Sequence, residues 1–465
     1  MQALAQTPQT EGSWPTLQGG PAHHGAAPRD GLGPPLELAW RGRPAGDARM
    51  SSAILVPGLA VATGATRLFG FDPRNGRVLW NDVERLEGPL APPAIDPVSN
   101  VVAFTEGSGR GKSAVVAVDR TSREERWRFA IEDISRGGPT IANGTVFVGS
   151  RGRFVYAIDA QQGTLRWKRR LESAVEAAPA VSDGRVYAVS ENGAKGNTRL
   201  YALDAASGKT VWSYSPKGVA IGVSSPTVAA GMVFVGFGDA QVRAFDATTG
   251  KLMWSAPVRG FFSFHSSLAY SGGDVYAVDE NGGVYRLDGK TGESRWDFQF
   301  PSYVSWSSPL VEGSTTYVGM DDGTVAAIEV SSGHLVWKTR LMTGPIGAFV
   351  PAGNLLLATS NSSRGALVAF RHDPSGILID DPSPTELDLP VALLNFAGSF
   401  VLVLGLLTLL FQLVIPPRLT MEAGDLPGST WGEGDLSDSD AESHVGTPDT
   451  LHPEVDEETT RPTTD

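Results

Sequence analysis

The chain has 465 residues, 55 glycines, no cysteine and a formal net charge of −13. Because cysteine is absent, disulfides, thiolate metal sites, haem attachment through C-x-x-C-H and a lipid anchor on cysteine are excluded. Only 19% of the residues are charged, and no basic stripe with interleaved aromatic residues occurs, which argues against nucleic-acid binding.

The N-terminal residues have the composition of a processed leader. Residues 1–5 end in the tripeptide ALA, which is typical of the cleavage site of a secretory signal. We therefore expect 1–5 to be a remnant of a signal peptide, although a chance tripeptide is the alternative. Residues 6–35 are then expected to be a leader that packs on the following domain as an irregular strap.

A thirteen-residue pattern recurs through residues 36–371, and its clearest copy is VYAIDAQQGTLRW at 155–167. The alternating apolar residues predict a strand, and the aspartate can accept hydrogen bonds from amides of the following turn. The glycine tolerates a positive φ in that turn, and the tryptophan lies on the next strand. Two copies depart from the pattern, since Arg123 replaces the glycine and Glu329 replaces the aspartate.

The tryptophans of this pattern are 40–47 residues apart. That period fits a four-stranded unit, and such units repeated around an axis form a β-propeller. Separate hairpins in a sandwich, the alternative, would not require one tryptophan in each unit. The structural tryptophans are Trp40, Trp80, Trp127, Trp167, Trp212, Trp254, Trp296 and Trp337.

The two ends of the repeat region complement each other. Trp40 lacks the preceding strand and turn, whereas the strand Ala366–Phe370 is followed by no tryptophan. Pairing of the two would remove a free sheet edge. The predicted fold is thus an all-β, eight-bladed β-propeller closed by pairing of N- and C-terminal strands, plus one C-terminal transmembrane α-helix.

The repeat frame D-x-x-x-G-x-x-x-W resembles the PQQ-like propeller repeat over about Leu36 to Phe370. That repeat is shared by pyrroloquinoline-quinone dehydrogenases and by BamB-type scaffold lipoproteins of outer-membrane assembly. The segment WPTLQG at 14–19 is similar to a W-P-x-x-x-G leader found before secreted propellers of this family. The resemblance implies the fold but not the activity, because the same propeller hosts enzymes and scaffolds.

The composition changes after the propeller. Residues 372–389 form an acidic linker, and Val391–Ile415 is a run of 25 residues without a charge. Such a run would span about 37 Å as a helix, enough to cross the hydrocarbon core of a membrane. We therefore predict a transmembrane helix over 390–415. The tail 416–465 holds thirteen Asp or Glu and two Arg, a composition typical of disorder.

The predicted orientation in the membrane rests on the few Lys and Arg residues near the uncharged run. No Lys or Arg occurs from His372 to Pro417, so Arg418 is the nearest cation to the predicted helix. A cation on one side favours that side as cytoplasmic. We expect a single-pass protein with its propeller outside the cytoplasm, periplasmic or extracellular, and its C-terminal tail inside.

Candidate binding residues cluster at one end of the predicted propeller. We call this end the mouth; there the chain enters the innermost strand of each blade, as at Pro139 and Pro179. Polar and aromatic residues just before these points would form a wall suited to an apolar side chain or a flat ring. The alternative is that propeller mouths simply vary. The candidate partner-binding residues are Arg136, Glu176, Phe261, Phe262, Phe264, His265, Tyr303 and Trp306.

Two classes of function remain open. One is a protein-interaction scaffold that binds other envelope or membrane proteins, with no cofactor, no metal and no catalytic residue. The other, implied by the resemblance, is a quinoprotein dehydrogenase that would use pyrroloquinoline quinone and Ca²⁺, with Glu176 as a metal ligand. No set of calcium ligands accompanies Glu176 in the neighbouring blades. No H-E-x-x-H or G-x-S-x-G motif supports a hydrolase.

Overall fold

The structure is a computed structural model that describes residues 13–378, except 28–31, 47–48, 86–87, 89, 109–110, 192–197, 217–221, 263–265, 306, 341–343 and 363–364. Its regular elements are β-strands and one 3₁₀ turn, Leu17–Gly19. Within the described residues, no helix is long and apolar enough to span a membrane. The predicted transmembrane segment 390–415 and the acidic tail lie outside that part of the chain.

The strands form eight sheets, one for each predicted blade. The four strands of each blade run antiparallel, and the first of them lies innermost, beside the first strands of the neighbouring blades. In blade 7 the short strand β1 is added parallel to that first strand. The N-terminal strands are β1 Ala26–Ala27 and β2 Leu36–Gly42. Blades 1 to 3 follow as β3 Ile54–Val56, β4 Leu59–Thr63, β5 Arg67–Phe71, β6 Val78–Glu84; β7 Ala94–Asp96, β8 Val101–Gly107, β9 Ser113–Asp119, β10 Glu125–Ile131; β11 Thr140–Ala142, β12 Thr145–Gly149, β13 Phe154–Asp159, β14 Leu165–Arg170.

The remaining blades repeat the same order. Blades 4 to 6 comprise β15 Ala180–Ser182, β16 Arg185–Ser190, β17 Arg199–Asp204, β18 Thr210–Tyr214; β19 Thr227–Ala229, β20 Met232–Phe237, β21 Gln241–Asp246, β22 Leu252–Pro257; β23 Ala269–Ser271, β24 Asp274–Val278, β25 Gly283–Asp288, β26 Ser294–Gln299. Blade 7 comprises β27 Leu310–Glu312, β28 Thr315–Gly319, β29 Thr324–Glu329 and β30 Leu335–Arg340. Blade 8 begins with β31 Val350–Ala352, β32 Leu355–Thr359 and β33 Leu367–His372.

The predicted closure is confirmed in blade 8. Its outermost strand is β2, which pairs antiparallel with β33 and places Trp40 opposite Ala369. The innermost strands β31 and β3 contact each other at the seam. Both ends of the repeat region therefore belong to one sheet, and the edge that an open eighth blade would expose is paired.

A tryptophan of one blade packs on the turn of the next blade. The ring of Trp127 lies against Gly163, and its indole N–H donates to the carbonyl of Ala160 at 2.9 Å. A Cβ atom at Gly163 would lie 2.5 Å from Cγ of the indole. Four further indoles make the equivalent hydrogen bond, namely Trp167 to Ala205, Trp212 to Ala247, Trp254 to Gly289 and Trp296 to Val330.

The aspartate of the repeat holds that turn in shape. One carboxylate oxygen of Asp159 accepts the amides of Gln161 and Gln162 at 3.0 and 2.8 Å. The Arg166 guanidinium and these amides hold the pKa of Asp159 below its usual range. Arg123, which stands in place of the turn glycine, adopts a φ of +66° and forms an ion pair with Asp82 of the preceding blade at 2.8 Å.

Gly163→Ala should therefore destabilise the protein more than Gly184→Ala. Both glycines have a φ of +71°, but a Cβ atom at Gly184 would meet nothing within 4 Å. The positive φ should cost either variant about 1 kcal/mol. The clash with Trp127 should add roughly 1–3 kcal/mol in Gly163→Ala alone. Urea unfolding midpoints measure the difference, and equal midpoints would contradict the proposed packing of the indole.

Candidate functional site

The loops at the mouth are held together by small residues that precede each innermost strand. The amide of Ala178 donates to Ser225 Oγ at 3.0 Å, and the amide of Ser267 donates to Ser308 Oγ at 2.9 Å, so each bond joins two neighbouring blades. At Gly137, a Cβ atom would collide with the backbone of Ala178. This ring of small residues was not predicted, although pairs such as SS, GG and AA before the innermost strands recur with the blade period.

Arg136 and Glu176, both predicted mouth residues, are in contact. Arg136 Nη1 lies 2.9 Å from Glu176 Oε2, and Arg151 Nε lies 3.1 Å from Glu176 Oε1. Each carboxylate oxygen of Glu176 thus has its own guanidinium partner. Arg151 was not predicted, because it lies in the loop between β12 and β13, whereas the predicted site residues all lie in segments that enter the innermost strands.

A cleft of about 630 Å³ opens beside this ion-pair network. Its lining includes Arg151, Glu176 and Glu191, and a single oxygen of Glu191 accepts the amide of Gly222 at 3.1 Å. Burial, and to a lesser degree the negative charge of Glu176, raise the pKa of Glu191 to about 7. The cleft therefore contains one carboxylate that is paired with two arginines and one carboxyl group that is partly protonated at neutral pH.

The predicted aromatic wall is only partly exposed. Phe262 is 1% exposed and packs on Gly236, within the apolar core that also contains Trp254 and Tyr285. Its expected exposure to a partner is wrong, because the loop before β23 turns this ring inward between blades. Phe262 is therefore a packing residue.

Phe261 and Tyr303 remain candidates for partner contact. They are 55% and 67% exposed, respectively. Their loops lie on either side of Glu280, whose amide donates to the carbonyl of Phe261 at 2.8 Å and whose carbonyl accepts the amide of Val304 at 3.1 Å. The backbones that carry these two exposed rings are thus joined through Glu280, at neighbouring blades of the mouth. Phe264, His265 and Trp306, which the sequence analysis also selected, lie outside the described residues.

The acidic residues described near the mouth are engaged by other groups of the protein. Asp279 is fully buried and accepts the amides of Gly260, Asn281 and Gly283 and the hydroxyl of Tyr285. The two oxygens of Glu176 are occupied by arginines, as described above. In the described part of the chain, no group of three or more His, Asp or Glu side chains could hold a metal ion.

A second acidic turn, in blade 7, is also committed to the fold. Both carboxylate oxygens of Asp321 accept hydrogen bonds from Ser305, one from its amide at 2.9 Å and one from its hydroxyl at 2.6 Å. This carboxylate, like that of Asp279, therefore fixes the loop that enters the innermost strand of its own blade.

A family model described as outer membrane protein assembly factor BamB matches residues 111–261, 194–297 and 238–379, which together span more than half of the chain. The chain belongs to this family of BamB-type, PQQ-like propellers. Among proteins of curated function, none matches the chain by sequence.

Solved structures share the fold at low identity. BamB from Moraxella catarrhalis is 19% identical, with a TM-score of 0.60 over 72% of this chain and 100% of its own. A europium-containing methanol dehydrogenase is 13% identical, with a TM-score of 0.65 over 77% and 98% of the two chains. The computationally designed Ika8 protein is 14% identical, with a TM-score of 0.59 over 71% and 99%. These likenesses concern the fold alone.

Glu191→Gln should change the pH dependence of stability. Because the folded-state pKa of about 7 exceeds the ordinary value of 4.5, the stabilising contribution of Glu191 is complete below pH 4.5 and is lost as the pH rises through 7. The variant should therefore gain up to about 3 kcal/mol relative to the parent between pH 4.5 and pH 8. Urea unfolding at both pH values measures this change.

Glu172→Gln is the matched control. Glu172 also lines the cleft, but its pair with Arg199 at 3.3 Å is largely exposed, so its loss should have a small effect at both pH values. If the free energies of unfolding of the parent and of Glu191→Gln changed in parallel with pH, Glu191 would ionise in the folded protein at no cost in stability.

Proposed function

We propose that this chain is a membrane-anchored, envelope-facing scaffold whose propeller binds other envelope or membrane proteins through its mouth. The observation that carries the proposal is the exposed aromatic pair Phe261 and Tyr303, held on neighbouring loops by backbone hydrogen bonds to Glu280. Aromatic rings at a rigid, exposed position lose little conformational freedom on binding and often dominate the affinity of an interface.

The charges beside this pair suit protein recognition as well. Arg136 and Arg151 are partly exposed around Glu176, and arginine is enriched at interfaces together with aromatic residues. A partner that packs on the rings would meet this charged cleft at the same end of the propeller. The match to a BamB family model supports a role of this kind, without specifying the partner.

The alternative is a quinoprotein dehydrogenase that oxidises an alcohol or sugar with pyrroloquinoline quinone and Ca²⁺. The shared fold with a methanol dehydrogenase makes it worth testing. The described residues give it less support, because the carboxylates of Glu176, Asp279 and Asp321 are engaged by arginines, amides and hydroxyls of the protein itself.

The membrane anchor and the orientation belong to the same proposal. They rest on the uncharged run Val391–Ile415, on Arg418 and on the ALA tripeptide in residues 1–5. These features together support a propeller outside the cytoplasm and an acidic tail inside it.

Phe261→Ala and Tyr303→Ala should each weaken partner binding by at least about 1–2 kcal/mol, since each removes an exposed anchor without touching the core. The measurement is quantitative capture of co-purifying proteins from detergent-solubilised membranes. Val98→Ala is the matched control, because Val98 is also exposed but follows β7 at the far end of an innermost strand. Its capture profile should equal that of the parent.

Unchanged capture by both aromatic variants would contradict the scaffold proposal at this surface. The decisive result for the alternative is alcohol-dependent dye reduction by protein reconstituted with pyrroloquinoline quinone and calcium, abolished by Glu176→Ala.

The orientation has its own test. A reporter that is active only in the cytoplasm should give signal when fused after Asp465 and none when fused after His372, because the segment between them is expected to cross the membrane. The opposite pattern of signals would place the propeller in the cytoplasm and overturn this part of the proposal.

A further inference from the structure

The N-terminal strap, defined here as residues 13–27, runs along the ring of innermost strands. Its carbonyl groups accept hydrogen bonds from the second residue of the innermost strand in six blades. The distances from these amides to the strap carbonyls are 2.7–3.0 Å. The pairs are Leu55 to Trp14, Ile95 to Pro15, Val181 to Pro21, Val228 to Ala22, Tyr270 to His24 and Val311 to Gly25.

The strap therefore passes the blades in their order along the chain. The strap starts at blade 1 and ends at blade 7, where β1 pairs parallel with β27. Blade 8 has Pro351 at the equivalent position of β31, and proline has no N–H to donate. Among the described residues two blades make no such bond: blade 8, which has no N–H at Pro351, and blade 3, which the strap contacts instead through His23 and Thr140 Oγ1.

Side chains fix the strap in register. Trp14 and Leu17 are buried, and Gln18 Nε2 donates to the carbonyl of Pro309 at 3.2 Å. Gly19, with a φ of +90°, lies against the ring of Trp14, where a Cβ atom would approach the ring to 2.8 Å. The segment is thus recognised by backbone and side chains together, as a bound peptide would be.

His23 is the buried polar anchor of the strap. Its Nδ1 lies 3.0 Å from the carbonyl of Pro226, and its Nε2 lies 3.3 Å from Thr140 Oγ1, so the ring bridges blades 3 and 5. The side chain is fully buried. Among the described residues, the Pro226 carbonyl and the His24 side chain are the groups that act on the pKa of His23, and no carboxylate is among them.

We propose that the ring of innermost strands is a peptide-binding site, that the strap is its resident ligand, and that protonation of His23 releases it. The ligand class is an extended segment that presents successive carbonyl groups, a tryptophan anchor and a neutral imidazole.

The direction of the pH effect follows from burial. Burial lowers the pKa of His23 from 6.5 to about 4, against the opposing effect of the Pro226 carbonyl. The bound strap therefore takes up fewer protons than the free strap between pH 4 and pH 6.5, so its affinity is complete above pH 6.5 and falls towards pH 4. Linkage predicts binding about 30-fold weaker at pH 5 than at pH 8.

The experiment starts from the full chain, folded with its strap in place. A specific protease site is introduced within residues 28–31, and the purified protein is cut at pH 8. We expect the N-terminal fragment to remain bound at pH 8 and to be lost on gel filtration at pH 5. A synthetic peptide of residues 13–27 should then rebind at pH 8, with affinity about 30-fold higher than at pH 5.

Two peptide variants are the controls. The His23→Asn peptide should bind with little dependence on pH, whereas the His24→Asn peptide should keep the dependence of the parent peptide. Loss of the fragment at pH 8 without rebinding of the peptide would overturn the binding site. Equal affinity of the parent peptide at pH 5 and pH 8 would overturn the switch.

A second measurement needs no cleavage. In the uncut chain, the thermal midpoint should fall more steeply between pH 7 and pH 5 in the parent than in His23→Asn, because only the parent takes up a proton at this position on release of the strap. Parallel midpoints in the two proteins would contradict the role of His23.

Discussion

The packing of each tryptophan on the turn of the next blade is the constraint on which the propeller depends. A four-stranded blade buries both faces only against its neighbours, so its stability is a property of the ring. The indole supplies a large apolar surface to that interface, and its N–H fixes the distance between blades through one carbonyl, as Trp127 does with Ala160. The glycine of the turn must lack a side chain because the indole occupies that space.

The strap adds a second set of contacts, at the axis. The amides of the innermost strands, such as those of Val181 and Val228, face the centre of the ring and have no further strand to pair with. A buried amide without a partner costs free energy. The carbonyls of the strap accept hydrogen bonds from such amides in six blades. Residues 13–27 thus cover the inner edges of these blades, much as β2 covers the outer edge of blade 8.

Sequence periodicity was sufficient to predict the blades and their closure, because one tryptophan and one turn recur in nearly every unit. The site was harder to predict. Arg151 and Glu191 lie on loops between the second and third strands, and only the ring brings them beside Glu176. For Phe262 the residue was selected from the sequence, but the burial of its ring was not predicted. Its neighbour Phe261 has the same side chain, and the direction of the loop alone decides which ring is exposed.

The use of carboxylates explains how one fold can serve different functions. A propeller brings several loops to one mouth, and each loop needs a hydrogen-bond acceptor to hold its backbone. In this chain Asp279 and Asp321 meet that need, and Glu176 is held between two arginines. A carboxylate whose oxygens already accept strong hydrogen bonds has little left to offer a hard cation. The carboxylates of Asp279, Asp321 and Glu176 therefore serve the structure of the mouth loops in this chain.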